Sequence, residues 1–323
     1  MARHYVAFWN VENLFDVEDA PLERRPDKVR RAIRADSDSS EVRGWSKAVL
    51  KRKLERLASV ISRMDGGRGP DLLGVCEVEN RHVLERLAAQ LAPLGRRYAV
   101  VHADTEDRRG VDVAFLYDTD VFRVDPAEVF SHFVVKRTAT RDLLQASFFD
   151  RRGRRLVCIG NHWPSRLGGQ YESEPFRIIA AESLAYFHER IAEIHGHDVA
   201  VLAMGDFNDE PFDRSMVQHA RSERTATKVQ RAGLPSLLNL MWGLAGDGQG
   251  SHFHENRPGL LDQLLVSKGL IDGDSGFRVD ERATEIVRFD DTTTSGLYPQ
   301  PRRFARPSRA HDFDPDGVSD HYP

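Results

Sequence analysis

The chain has 323 residues, with 46 Lys and Arg against 50 Asp and Glu, a net charge of −4 and 40% hydrophobic content. That balance excludes a globally basic protein and leaves any polyanion site to a local cluster, while the apolar content suffices for a core and no run reaches the length of a membrane span. Cys76 and Cys158 lie in apolar runs without partners at ligand spacing. They read as small buried hydrophobes in a reducing compartment, not as a disulfide or zinc site.

The first ten residues run straight into a strand, with no basic region followed by an apolar stretch and cleavage site. Secretion is therefore not indicated, and a cytoplasmic location is expected. Tyr5–Trp9 is the first predicted strand, followed by Asn10, Glu12 and Asn13. Residues 16–44 are charged and read as a long mobile insertion, with or without a short helix. Its basic side chains from Arg24 to Arg34 are either solvated or backbone contacts to a nucleic acid. Ser46 to Met64 is an amphipathic helix with Leu50, Leu54, Leu57 and Ile61 on one face, stopped by Gly66, Gly67 and Gly69-Pro70.

A strand over Leu72–Cys76 delivers Glu77, and Asn80 caps the next helix. Strands at Tyr98–His102 and Val113–Tyr117 flank a charged turn through Arg108 and Arg109. Further β segments are predicted at 121–124, 129–135 and 144–149, the last joined by a glycine turn to Arg155–Ile159. Basic residues of that turn, from Arg151 to Arg155, could add backbone contacts. Gly160-Asn161-His162 ends that strand, and a helix is predicted from near Pro175 to about His195.

The apolar run from Val199 to Met204 is a buried strand that turns out at Gly205, presenting Asp206 and Asn208. His252 and His254 share one face of a short strand, and Leu261–Val266 is a strand with Asp262 near its start. A long polar loop over 290–317 leads to Ser319-Asp320-His321, and a further strand is expected beyond Pro323. No boundary or repeat is evident, so a single domain over 1–323 is expected. Helices mixed with hairpins favour two packed mixed sheets with helices outside over a simple βαβ repeat.

Runs ending in polar groups recur along the chain: Asn10 with Glu12, Glu77, Asn161 with His162, Asp206 with Asn208, and Asp320 with His321. Asp112 and Asp262 lie in two further strands. Strand ends gathered at one rim would bring these groups together. Carboxylates suit magnesium or manganese, asparagines orient phosphate without adding charge, and histidines move protons near neutral pH. No Gly-x-Ser-x-Gly, Walker or Gly-x-Gly-x-x-Gly motif competes. The chemistry indicated is metal-assisted phosphoester hydrolysis.

Trp9-Asn10-Val-Glu12-Asn13, Cys76-Glu77-Val, Gly160-Asn161-His162, Gly205-Asp206-Phe-Asn208, Leu261-Asp262-Gln and Ser319-Asp320-His321 resemble the ordered motif set of the endonuclease/exonuclease/phosphatase superfamily. The resemblance implies an α/β fold, a four-layered sandwich of two mixed sheets packed face to face with helices outside. It implies Glu77 as main ligand of Mg2+ or Mn2+, with Asn10 and Asp320 beside it and Glu12 behind. Asp206 and Asn208 would position or activate water and hold phosphate, and His321, oriented by Asp262, would be the base or a phosphate ligand. His162 would face the phosphate, paired with Asp112, and Asn161 and Arg166 would contact it. The implied activity is a nuclease cleaving DNA or RNA as a monomer, without a membrane and with no protein partner indicated. The alternatives are a phosphatase or phospholipase of the same superfamily, or a catalytically silent nucleic-acid binder.

Overall fold

The computed structural model describes residues 3–34, 41–135, 140–309 and 311–323. The chain forms two compact units, Met1–Val121 with Thr138–Arg141 and Val287–Pro323, and Phe122–Arg137 with Asp142–Ile286. Each carries a mixed sheet with helices, in keeping with the expected α/β class.

In the first unit, the β-branched and aromatic run Val6–Leu14 forms strand β1. A parallel partner needs a long crossover. Helices α1 (Asp27–Arg34) and α2 (Lys47–Gly67) supply it before β2 (Leu72–Val78). Ser46 caps α2, its hydroxyl accepting from the Val49 amide at 3.2 Å, and the predicted leucine face is buried. Leu50, Leu54, Leu57 and Ile61 share one core with Trp9, Val11, Leu73 and Val75. Each buried leucine contributes on the order of 2 kcal/mol. Helix α3 (Arg81–Gln90) starts at Asn80, which accepts from Val83 N–H at 3.0 Å as the sequence predicts. Strands β3 (Tyr98–His102) and β4 (Asp112–Asp118) complete the sheet in the order β1-β2-β4-β3.

The 16–44 segment holds α1 between irregular stretches and is anchored to the core at several points; residues 35–40 lie outside the described residues. Val17, Ala20, Val29 and Val42 are buried in the core, and Glu18 N–H donates to the Trp45 carbonyl at 2.7 Å. Arg25 is buried too, paired with Glu79 at 2.7 Å, so it is not a solvated or nucleic-acid-facing cation. The apolar residues were too sparse to show a period, but each finds a place over the core. The 290–317 stretch does hold little regular structure, and Phe304 anchors it by stacking on Trp45 at 6.0 Å.

In the second unit, β5 (Phe122–His132), β6 (Leu143–Asp150) and β7 (Arg155–His162) form an antiparallel meander. The two segments expected at 121–124 and 129–135 are largely one strand, interrupted between Val124 and Val129 where Pro126 cannot donate to the ladder. Helix α4 spans Gln170–His195, starting five residues before the expected Pro175, which lies within its second turn. It leads to β8 (Ala200–Asp206), parallel to β7. The short elements β9 (Ser222–Glu223), α5 (Ala226–Arg231), β10 (Leu237–Asn239) and α6 (Trp242–Gly246) follow. After them come the hairpin β11 (His252–His254) with β12 (Arg257–Gly259), then β13 (Asp262–Val266) and α7 (Lys268–Asp272). The sheet order is β5-β6-β7-β8-β13-β10-β9, and Ala180, Ala181 and Leu184 of α4 cover Val157, Ile159 and Val201. Both cysteines are buried and no disulfide joins them.

Candidate active site

In the first unit the ladder breaks where the candidate ligands sit. Asn10 pairs with Cys76 and Leu14 with Val78, so Val11, Glu12 and Asn13 face the single residue Glu77. Glu77 is likewise the extra residue against β4, between the pairs Cys76–Val113 and Val78–Asp112. Such bulges re-aim a side chain out of the pleat. The backbone records it, with φ of 47° at Glu12, 57° at Asn13 and 64° at Glu77. Non-glycine residues adopt that region at a cost of about 1–3 kcal/mol each, a strain typical of functional sites.

The re-aimed groups are held by charge. Arg109 grips Glu77 at two points, 3.0 Å to Oε1 and 3.2 Å to Oε2, while Asn13 N–H donates to Oε2 at 3.0 Å. Burial works against the charge on Arg109, but the Glu77 carboxylate more than offsets it and raises its pKa. Glu12 accepts from Arg303 at 3.1 and 2.9 Å and from the amides of Phe304 and Ala305 at 2.8 and 3.2 Å. With both oxygens committed and 1% exposure, Glu12 anchors the 303–305 segment and is not placed to ligate an ion directly. Burial, aided by Asp320, pushes its carboxyl pKa up against the pull of Lys53 and Arg303. Lys53 is fully buried, its ammonium 4.8 Å from the Phe304 ring centroid, and burial lowers its pKa to about 8.

The terminal segment is strapped to β1: Ser319 Oγ donates to the Asn10 carbonyl at 2.7 Å, and Trp9 Nε1 to the His321 carbonyl at 2.9 Å. His321 N–H donates to Ser319 Oγ at 3.1 Å, and its Nε2 lies 3.9 Å from Asp320. Asn10 accepts from Glu12 N–H at 3.1 Å. Glu77 and Asp320 line one cavity of about 170 Å³ together with Arg109, Arg303, Arg306 and Arg309. Two hard carboxylates on one cavity fit a hard divalent cation.

Asp112 is engaged within its own unit. It lies 3.1 Å from His102 Nε2 and accepts from Thr105 N–H and Oγ–H at 3.0 and 2.7 Å. Antiparallel pairing of β3 with β4 sets this neighbourhood, and burial raises the Asp112 pKa. His102, Asp104 and Asp112 could also gather ligand atoms around an ion, within 4.8 Å of one another.

In the second unit the strand ends align by register. His162 on β7 pairs with Asp206 on β8, and Asp206 faces Asp262 on β13. His162 Nε2 lies 3.8 Å from Asp206 Oδ2, and all three residues are at most 6% exposed. Gly205 is required between them, because a Cβ there would meet the Asn161 carbonyl at 2.3 Å. Asn208, at φ 51°, donates its amide to Asp206 Oδ1 at 2.9 Å and its Nδ2 to the Trp163 carbonyl at 3.1 Å.

Two residues expected to contact phosphate make bonds within the protein. Asn161 is fully buried, with Nδ2 donating to the Ile159 and Met204 carbonyls at 2.8 and 3.3 Å and Oδ1 accepting from Trp163 at 3.0 Å. It ties β7 to β8 and has no group left for phosphate. Arg166 donates to the Asn208 carbonyl at 2.7 Å and lies 3.2 and 2.6 Å from Asp209 and Asp213, clamping the loop after β8. In the basic turn after β6, Arg154 pairs with Asp150 and Arg155 with Glu128, while Arg151 and Arg152 are exposed.

The sequence passes over Arg109, Arg303, Lys53 and His102. Arg109 stands just before Gly110 and the Asp112 strand, and only that adjacency hinted at a role. The chain matches the endonuclease/exonuclease/phosphatase family over residues 5–323. It belongs to that family. The family's members are hydrolases of phosphoester bonds and generally depend on divalent metal. No curated protein matches the chain. Among solved structures it is similar to a mannosyl-6-phosphatase of Bacteroides thetaiotaomicron (16% identity, 82% of this chain and 85% of that chain, TM-score 0.49). It is also similar to the human Nocturnin catalytic domain (19%, 68% and 74%, 0.47) and to truncated Caenorhabditis elegans TDP2 (16%, 69% and 79%, 0.48). Among the described residues no helix is long and apolar enough to cross a membrane.

Proposed function

We propose that this family member is a divalent-cation-dependent phosphodiesterase that hydrolyses DNA or RNA. The observation that carries this is the shared cavity, which sets Glu77 and Asp320, hard oxygen donors, beside guanidinium groups suited to phosphate. In this proposal Glu77 and Asp320, with Asn10, hold Mg2+ or Mn2+. The bound ion would neutralise phosphoryl charge and stabilise the leaving oxygen. Asp206 positions the attacking water, its orientation fixed by the Asn208 amide. Asn208, whose Nδ2 spends one hydrogen on Trp163, offers the other to a phosphoryl oxygen. His162 and His321 carry protons or stabilise charge near neutral pH, with Asp262 opposite Asp206 completing the acidic pair.

The test is cleavage of supercoiled plasmid and of labelled single-stranded DNA and RNA, with magnesium, manganese or chelator. Chelator-sensitive nicking or shortening by the wild type, lost in Glu77→Gln and Asp206→Asn, is expected. Failure of the wild type to cut any strand with either ion overturns the nuclease reading.

A further inference from the structure

Arginines outnumber carboxylates on the wall of the first unit's cavity: Arg109, Arg303, Arg306 and Arg309 face Glu77, Asp312 and Asp320. Two of them already have structural work. Arg109 is bound to Glu77, and Arg303 to Glu12. Arg306 reaches Glu41 at 3.0 Å through Nη1 yet still lines the cavity, and no described side chain pairs with Arg309. The Nε of Arg109 is buried without an acceptor among the described residues. Guanidinium groups with donors to spare around a half-open cavity match the tetrahedral oxygens of a phosphate.

We infer that Arg306 and Arg309, with Arg303 behind them, form a subsite for a second phosphate, the one adjoining the scissile linkage on the same nucleic-acid strand. This rests on the phosphodiesterase reading and adds to it a substrate preference: linkages that carry a neighbouring phosphate on one side. Arg306 and Arg309 are then specificity-determining residues, and the ion pair with Glu41 aims the first of them into the cavity.

The experiment uses dinucleotides with one phosphodiester linkage, bearing a 5′-phosphate, a 3′-phosphate or neither. Binding is measured by calorimetry in chelator, and turnover separately with magnesium. One phosphorylated form is expected to bind about tenfold more tightly than the bare dinucleotide, the size of one or two charge-assisted hydrogen bonds. Arg306→Ala and Arg309→Glu should each erase most of that difference, lowering affinity for the phosphorylated form more than for the bare dinucleotide. Arg309 is exposed, so its variant tests the idea without threatening the fold. Arg97→Ala, on an exposed arginine paired with Asp120, serves as control and should retain the full preference. Equal binding of all three dinucleotides, or a preference that survives both variants, overturns the subsite. Release of the terminal phosphate with the linkage left intact would instead overturn the phosphodiesterase reading, while the phosphate preference in chelator would stand.

Discussion

The candidate residues of the two units are held by different forces. In the first, Glu77, Glu12 and Asp320 sit on bulged or irregular backbone and are balanced by Arg109, Arg303 and Lys53, charge against charge. In the second, His162, Asp206 and Asp262 stand on regular strands in register, and amide groups fix their surroundings. A charge-balanced cluster can exchange a guanidinium for another cation, because each carboxylate already has a positive partner in reach. A backbone-braced cluster keeps its geometry whatever its charge. The first arrangement suits ion and phosphate binding, the second suits the orientation of a reacting group.

The largest effect should come from separating the two roles. Glu77→Gln and Asp206→Asn are each expected to lower kcat/KM by about three orders of magnitude, or about 4 kcal/mol of transition-state stabilisation. Only Glu77→Gln should also abolish manganese binding as measured by electron paramagnetic resonance. If Asp206→Asn loses the ion equally, the division of labour is wrong.

A pH experiment probes charge within the first unit alone. Burial pushes the Glu79 carboxyl up to about 7, against the pull of Arg25. The folded state therefore keeps this proton to higher pH than the unfolded chain, whose glutamates release it near 4.5. Stability from this group is present below the unfolded value and declines as pH rises to about 7, by on the order of 3 kcal/mol. Glu79→Gln should flatten thermal stability over that window; an unchanged slope would show that the ion pair with Arg25 keeps Glu79 ionised throughout.

Backbone bracing predicts a loss of stability where phosphate contact would predict a loss of substrate affinity. Asn161→Ala leaves the Ile159 carbonyl and the Trp163 indole N–H without their partner and should destabilise the fold by about 2–3 kcal/mol. At temperatures where the variant stays folded, KM should hold; a rise in KM without a fall in melting temperature would restore Asn161 as a substrate contact. The smallest effect is expected for Arg166→Ala: about 1 kcal/mol of stability and a fall in kcat with KM nearly constant. An increase in KM alone would mark Arg166 as a phosphate ligand after all.

Much of this was legible in the residues themselves. Leucine spacing located α2, the Asn80 cap and glycine stops bounded the helices, and apolar runs ending in Glu77, His162 and Asp206 located the strand ends. These are local signals, fixed by side-chain period and backbone preference within a few residues. Which polar group answers which was not legible. Asn161 and Asp206 look alike as strand-end polar residues, yet one is spent on carbonyls and the other is not bound in that way, a difference set by what the neighbouring strand presents.

The sequence by itself determined the longer strands and helices and the positions of the strand-end motifs, because both follow from short-range period and turn chemistry. Only the tertiary structure decided the partners: Arg303 reaches Glu12 across 291 positions and Arg109 reaches Glu77 across 32. Coulomb attraction and hydrogen bonding act through space over a few ångströms, and chain separation carries no record of that distance.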